Sequence, residues 1–81
     1  MSSEFERVRR ITAEVTGVGE QEIRERTRFI EDLGADSLDL FEILTRVEEE
    51  CRVAIPGHAV SRVVTVGDAA EILVEVEHRA I

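Results

Sequence analysis

Residues 32–51 read DLGADSLDLFEILTRVEEEC, and this stretch determines the fold. Gly34 breaks the chain just before Asp36, a preferred N-cap residue, and Asp39 stands three residues later, where a capping-box carboxylate belongs. After it, apolar residues recur at steps of three and four, the spacing of one helix face. That face comprises Leu40, Ile43, Leu44, Val47 and Cys51. The stretch therefore predicts an amphipathic helix from Ser37 to about Cys51.

A second amphipathic pattern lies near the start of the chain. Apolar residues recur at helical spacing from Phe5 onward, and Gly17 follows as a helix breaker. Ser3 and Glu6 fit a capping box. The pattern predicts a first helix over about residues 3–16.

The rest of the chain predicts one more long helix and a short one. Thr65 with Asp68 forms another capping pattern ahead of an apolar stripe that ends near His78. Residues 17–35 form a long connection that contains a short helical turn, and residues 57–62 suit a short helix. No stretch has the alternation of a strand. The predicted fold is all-α, a small bundle of three longer helices and one short helix.

Length and charge limit what the protein can do. The chain has 81 residues, which fits one domain over residues 1–81 and leaves little room for a substrate cleft, so we do not expect an enzyme. Its formal charge is −8, and residues 31–50 hold eight acids and one base, a local −7. Such a surface repels nucleic acid and anionic membranes and favours partners with basic patches.

The cysteine and histidine content excludes other classes of protein. Cys51 is the only cysteine, so no internal disulfide forms, and the two histidines do not stand at metal-ligand spacing, so we expect no metal site. No apolar run is long enough to span a membrane, and charges throughout residues 1–30 do not suit a secretory signal. These features predict a cytoplasmic monomer.

The segment DLGADSL at residues 32–38 resembles the phosphopantetheine attachment motif of acyl carrier proteins. The similarity continues at Phe29, in the acidic run from Glu48, at Ile55-Pro56 and at Thr65-Val66. The resemblance implies that Ser37 is a modified residue and not a catalytic one. It would accept 4′-phosphopantetheine from coenzyme A, and the thiol of that arm would carry acyl groups as thioesters.

Physical chemistry supports this role for Ser37. The first turn of a helix has unpaired N–H groups and the positive end of the dipole, which favour a phosphodiester. An N-cap role is the structural alternative, but Asp36 is the better cap and leaves the serine free. A serine-hydrolase elbow needs a glycine two residues after the serine, where this chain has Asp39.

The resemblance also implies a docking face on the helix after Ser37. Its acidic residues would bind basic patches of the phosphopantetheinyl transferase (the holo-synthase), ketosynthases and acyltransferases, and one of them, Asp36, would help hold Mg²⁺ while the arm is installed. Leu38 and Phe41 fall outside the core stripe and would form the apolar centre of the contact, unless they pack under the long connection. The acidic members are Asp36, Asp39, Glu42, Glu48 and Glu49.

A bundle of this kind could hold the acyl chain in a narrow apolar cleft, because burial contributes about 0.8 kcal/mol per CH₂ group. The predicted cleft residues face inward, and they are Leu44, Val47, Ile55, Val63, Ala69 and Leu73.

Departures from the usual family pattern leave the pathway open. Cys51, Arg46 and Thr45 replace residue types common at those positions, and residues 57–62 contain no acid. These differences favour a specialised, polyketide-like pathway, whereas the motif itself suits fatty acid biosynthesis. The alternatives are an aminoacyl or peptidyl carrier and an acidic helical adaptor whose Ser37 is never modified.

Overall fold

The computed structural model describes residues 3–79, which form a helical bundle. The helices are α1 (Ser3–Thr16), α2 (Ser37–Cys51), α3 (Gly57–Val60) and α4 (Val66–Arg79), with a 3₁₀ turn at Glu20–Glu22. Within this range there is no strand, only an isolated antiparallel bridge between Arg28 and Thr65. The predicted all-α class is therefore confirmed, including the three longer helices and the short one.

Helix α1 packs against both α2 and α4, and the apolar stripes of the three helices form one core. The spacing of these stripes explains the arrangement, because each amphipathic helix must bury one face against the others. None of the described helices is long and apolar enough to cross a membrane. The largest fully buried side chains of the three helices include Val8, Ile11, Ile43, Val47 and Leu73.

The long connection between α1 and α2 is fixed to the rest of the bundle. Ile23 and Phe29 are buried in the core, each about 1% exposed. The N–H of Phe29 donates to the carbonyl of Val64 (3.0 Å), and the N–H of Gly67 donates to the carbonyl of Glu25 (2.9 Å). These bonds hold residues 25–29 beside the start of α4, so the loop enters α2 from a defined position.

Two local predictions need correction. Ser3 is the first residue of α1 and does not form the predicted capping box with Glu6; its hydroxyl donates to a carboxylate oxygen of Glu4 (3.5 Å). Helix α3 ends at Val60 and not at residue 62. The residues after it form tighter turns, in which the N–H of Arg62 donates to the carbonyl three residues back (3.0 Å).

Candidate functional site

The start of α2 is held by reciprocal caps. Asp36 is extended (φ −99°, ψ −177°), and its Oδ1 accepts a hydrogen bond from the N–H of Asp39 (2.9 Å). Oδ2 of Asp39 accepts one from the N–H of Asp36 (3.2 Å). Just upstream, Gly34 has a φ of +71°, a conformation that favours glycine. The capping box predicted from the sequence is confirmed, and it fixes where the helix begins.

Ser37 is the first residue of α2, and its side chain is exposed. Because Asp36 already provides the cap, the Ser37 hydroxyl makes no hydrogen bond to any other residue in the range 3–79. No histidine or carboxylate within that range contacts it as a general base. The site therefore presents an exposed hydroxyl on a capped first turn, with no activating side chain against it in the described part of the chain.

A cleft of about 460 Å³ lies beside Ser37, between α2 and the segment of residues 55–60, which includes the end of the α2–α3 loop and α3. Apolar side chains from both elements form most of its surface, and Glu48 and Thr45 supply its polar part. Its size and its apolar lining are those of a site for a small apolar ligand. The apolar lining consists of Leu40, Phe41, Leu44, Ile55 and Val60.

The structure divides the six predicted cleft residues into two groups. Leu44 and Ile55 line the cleft beside Ser37, whereas the other four are buried and do not line it. One of the four, Val63, borders a smaller pocket next to Phe29. Leu40 and Val60 line the cleft but were not predicted. Leu40 falls in the middle of the predicted apolar stripe, so its position in the helix did not indicate that it borders an opening. The four core residues are Val47, Val63, Ala69 and Leu73.

Leu38 and Phe41 are solvent-exposed, at 76% and 69% of their surfaces. The long connection therefore does not cover them, and the packing alternative is wrong for both. Phe41 also borders the cleft. Two large apolar side chains thus flank the exposed serine, which is the composition of an interface centre.

Arginines neutralise half of the eight acids in residues 31–50. Some of these arginines come from other parts of the chain, so the pairs could not be read from the local sequence. Hydrogen bonds from Arg28 also lower the pKa of the Asp32 carboxyl. The paired carboxylates are Glu31 (2.6 Å) and Asp32 (3.0 Å) with Arg28, Glu42 with Arg46 (2.8 Å), and Glu50 with Arg10.

The other four acids of this window have no cationic partner within 4.0 Å in the part of the chain that the structure describes. Asp36 and Asp39 serve as caps, and Glu49 is exposed. Glu48 is half-buried, and its Oε2 accepts a hydrogen bond from the N–H of Ile55 (2.7 Å). Of the predicted docking residues, Glu48 is the one whose carboxylate binds the next loop.

Cys51 points to a different part of the molecule. Its Sγ accepts a hydrogen bond from Nη1 of Arg7 on α1 (3.4 Å), and it does not line the cleft. Its thiol is therefore separate from the candidate site. Within residues 3–79 no cluster of three or more metal-ligating side chains occurs.

Residues 6–73 match the family model described as a phosphopantetheine attachment site. The match covers most of the chain, from α1 through α2 and α3 into α4. It includes Ser37 and every residue that lines the cleft beside it.

Proposed function

The chain belongs to the phosphopantetheine attachment site family, and we propose that Ser37 is the residue that accepts the arm. Proteins of this family are carriers that hold covalently attached 4′-phosphopantetheine and are not catalytic themselves. The observation that supports Ser37 is its hydroxyl, exposed on the first turn of α2 and without a hydrogen bond in the described chain. A modifying enzyme can reach it without any change in the helix.

The residues around Ser37 suit a phosphodiester. The first-turn N–H groups and the helix dipole favour its negative charge. The carboxylates of Asp36 and Asp39 oppose it, and a divalent cation would relieve that repulsion. Asp36 uses Oδ1 for its cap bond and has no partner for Oδ2 among residues 3–79, so it is the residue expected to help hold Mg²⁺ during transfer.

The modification is a transfer from coenzyme A. The Ser37 oxygen forms the new P–O bond, the pyrophosphate bond of coenzyme A breaks, and adenosine 3′,5′-bisphosphate leaves together with the hydroxyl proton. When bound, the arm supplies the thiol that carries acyl groups as thioesters. Cys51 does not take this role, because its Sγ faces Arg7 of α1.

The cleft and the exposed residues support acyl cargo and exchange between enzymes. An apolar opening that includes Leu44 and Ile55 can bury an acyl chain next to Ser37, at about 0.8 kcal/mol per CH₂ group. Carriers of this family interact with modifying transferases and biosynthetic enzymes. We propose that Leu38, Phe41 and the unpaired Glu49 dock on ketosynthases and acyltransferases of fatty acid or polyketide-like biosynthesis, as on the transferase.

Intact mass measurement tests the attachment. The chain is incubated with coenzyme A, Mg²⁺ and a broad-specificity phosphopantetheinyl transferase, and we expect a gain of about 340 Da. Ser37→Ala should show no gain. Ser61→Ala is the matched control, because Ser61 is also exposed, and it should be modified fully. No gain in the unaltered chain, or a gain that persists in Ser37→Ala, would overturn the proposal.

A further inference from the structure

Ile55, in the loop between α2 and α3, lines the cleft opposite α2 together with Gly57 and Val60 of α3. Most of the backbone hydrogen bonds of this loop end on Glu48. The carbonyl of Glu48 accepts from the N–H of Arg52 and from that of Val53 (3.1 Å). Its Oε2 accepts from the N–H of Ile55 (2.7 Å). Because Pro56 has no N–H, three of the four N–H groups in this loop bind one residue.

The turn that follows α2 is not intrinsically favoured. Arg52 adopts the left-handed conformation (φ 56°, ψ 47°), which non-glycine residues rarely occupy. Surrounding contacts must therefore hold it. The bonds to Glu48 provide such contacts, and the one from the side chain reaches Ile55, a cleft residue.

We propose that Glu48 is a positioning residue for the cleft. Its carboxylate holds Ile55 against α2 and so determines how well an acyl chain is retained beside Ser37. The part of this inference that concerns retention of the acyl chain rests on the proposed function. The hydrogen bond between Glu48 and Ile55 is present without the phosphopantetheine arm.

A comparison with the neighbouring Glu49 distinguishes a positioning role of Glu48 from a docking role. Glu49 carries the same charge one position later and is exposed, and its carboxylate makes no hydrogen bond in the described range. Glu48 is half-buried and lines the cleft. A positioning role needs a hydrogen-bond acceptor, whereas a docking role needs the negative charge, and glutamine keeps only the acceptor.

Amide hydrogen exchange of the unmodified chain tests the positioning. Glu48→Ala should raise the exchange rate of the Ile55 amide by at least about tenfold, and Glu48→Gln should stay within about threefold of the unaltered chain. Glu49→Ala should leave that rate unchanged. The Ile11 amide in the core of α1 reports global stability, and Glu48→Ala should raise its exchange rate less than that of Ile55, whose N–H also loses its own acceptor. An Ile55 amide unaffected by Glu48→Ala, or affected no more than the Ile11 amide, would overturn the inference.

Thioester hydrolysis of the acylated carrier, measured without partner enzymes, tests retention. Glu48→Ala should hydrolyse faster than the unaltered chain, increasingly so for longer straight acyl chains, while Glu48→Gln and Glu49→Ala should not. If Glu48→Ala and Glu48→Gln raised the hydrolysis rate equally, the negative charge of Glu48 would be what matters and not its hydrogen bond. That result would contradict the positioning role. If Ser37 accepts no arm, the proposed function and the retention claim fail together, and the exchange experiment still decides whether Glu48 holds the loop.

Discussion

Asp36 and Asp39 each accept a hydrogen bond from the other's backbone N–H, at 2.9 and 3.2 Å, and the hydroxyl of Ser37 between them makes no hydrogen bond within residues 3–79. The pair separates two tasks that a serine at a helix start often combines. The aspartates stabilise the turn, and the serine hydroxyl is left for chemistry.

This separation predicts different costs for neighbouring substitutions. Asp36→Ala should lower the free energy of unfolding by about 1 kcal/mol, because the N–H of Asp39 loses its partner. Ser37→Ala should change it by less than about 0.5 kcal/mol. Denaturant unfolding measures both, and Asp36→Asn, which keeps an acceptor, serves as the control. If the serine variant proves as destabilised as Asp36→Ala, the hydroxyl has a structural role that the structure does not show.

Much of the fold could be predicted from local sequence patterns. The bounds of α2 follow from a capping pattern and a 3.6-residue apolar period, both of which are read within 20 residues. The Thr65–Asp68 cap of α4 was equally local, and its bonds are present (2.9 and 3.0 Å). Ser3 was misassigned because a capping motif at a chain start does not by itself specify which residue begins the helix.

The cleft could not be predicted in the same way. Any bundle buries Val47 and Leu73, so apolar periodicity does not tell which core residues border an opening. That depends on where the loop after α2 runs, and the Glu48–Ile55 bond that places it joins residues seven positions apart. The ion pair between Arg10 and Glu50 joins residues 40 positions apart. For that reason, counting acids and bases only within residues 31–50 overestimated the number of unpaired carboxylates.

Phe41 should matter for exchange with partners and little for folding. It is 69% exposed, so Phe41→Ala should change the free energy of unfolding by less than about 0.5 kcal/mol. The rate at which the transferase modifies Phe41→Ala should fall on the order of tenfold, because loss of an anchor residue at an interface costs about 1.4 kcal/mol of binding free energy. Leu44→Ala, at a site only 5% exposed, is the contrast and should cost about 2–5 kcal/mol of stability. An unchanged modification rate for Phe41→Ala would remove this residue from the docking surface.

Gly67 is required by a close approach of two chain segments. A Cβ at this position would lie 2.8 Å from the carbonyl oxygen of Glu25, whereas one at Gly57 would meet nothing within 4 Å. Gly67→Ala should therefore cost about 1–3 kcal/mol, since the long connection must shift. Gly57→Ala should be neutral or slightly stabilising. Thermal unfolding of the two variants checks this, and equal midpoints would contradict the close contact.

Stability should fall in acid partly through Asp68. The N–H groups of Thr65 and Val64 donate to its Oδ2 at 2.9 and 3.0 Å and lower the pKa of this carboxyl. Because the folded-state pKa lies below the unfolded value of about 3.9, this stabilisation is complete above that value and is lost as the pH falls through the folded-state pKa. Asp68→Asn should remove this part of the pH dependence of the free energy of unfolding. Glu71→Gln, on an exposed residue of the same helix, should keep it. Parallel pH profiles for Asp68→Asn and the unaltered chain would contradict the assignment.

Glu49 is the carboxylate best suited to test electrostatic steering. Asp36 and Asp39 are caps, Glu42 is paired with Arg46 and Glu48 binds the loop, so a change at any of them alters structure as well as charge. Glu49→Lys should slow modification by the transferase, and more at low salt than at high salt, because the screening length falls from about 10 Å at 0.1 M to about 3 Å at 1 M. Glu20→Lys makes the same charge change in the 3₁₀ turn outside α2 and should have the smaller effect. Initial rates across a salt series measure both variants. A loss at Glu49 that is constant across the series would show that the residue acts through contact and not through long-range attraction.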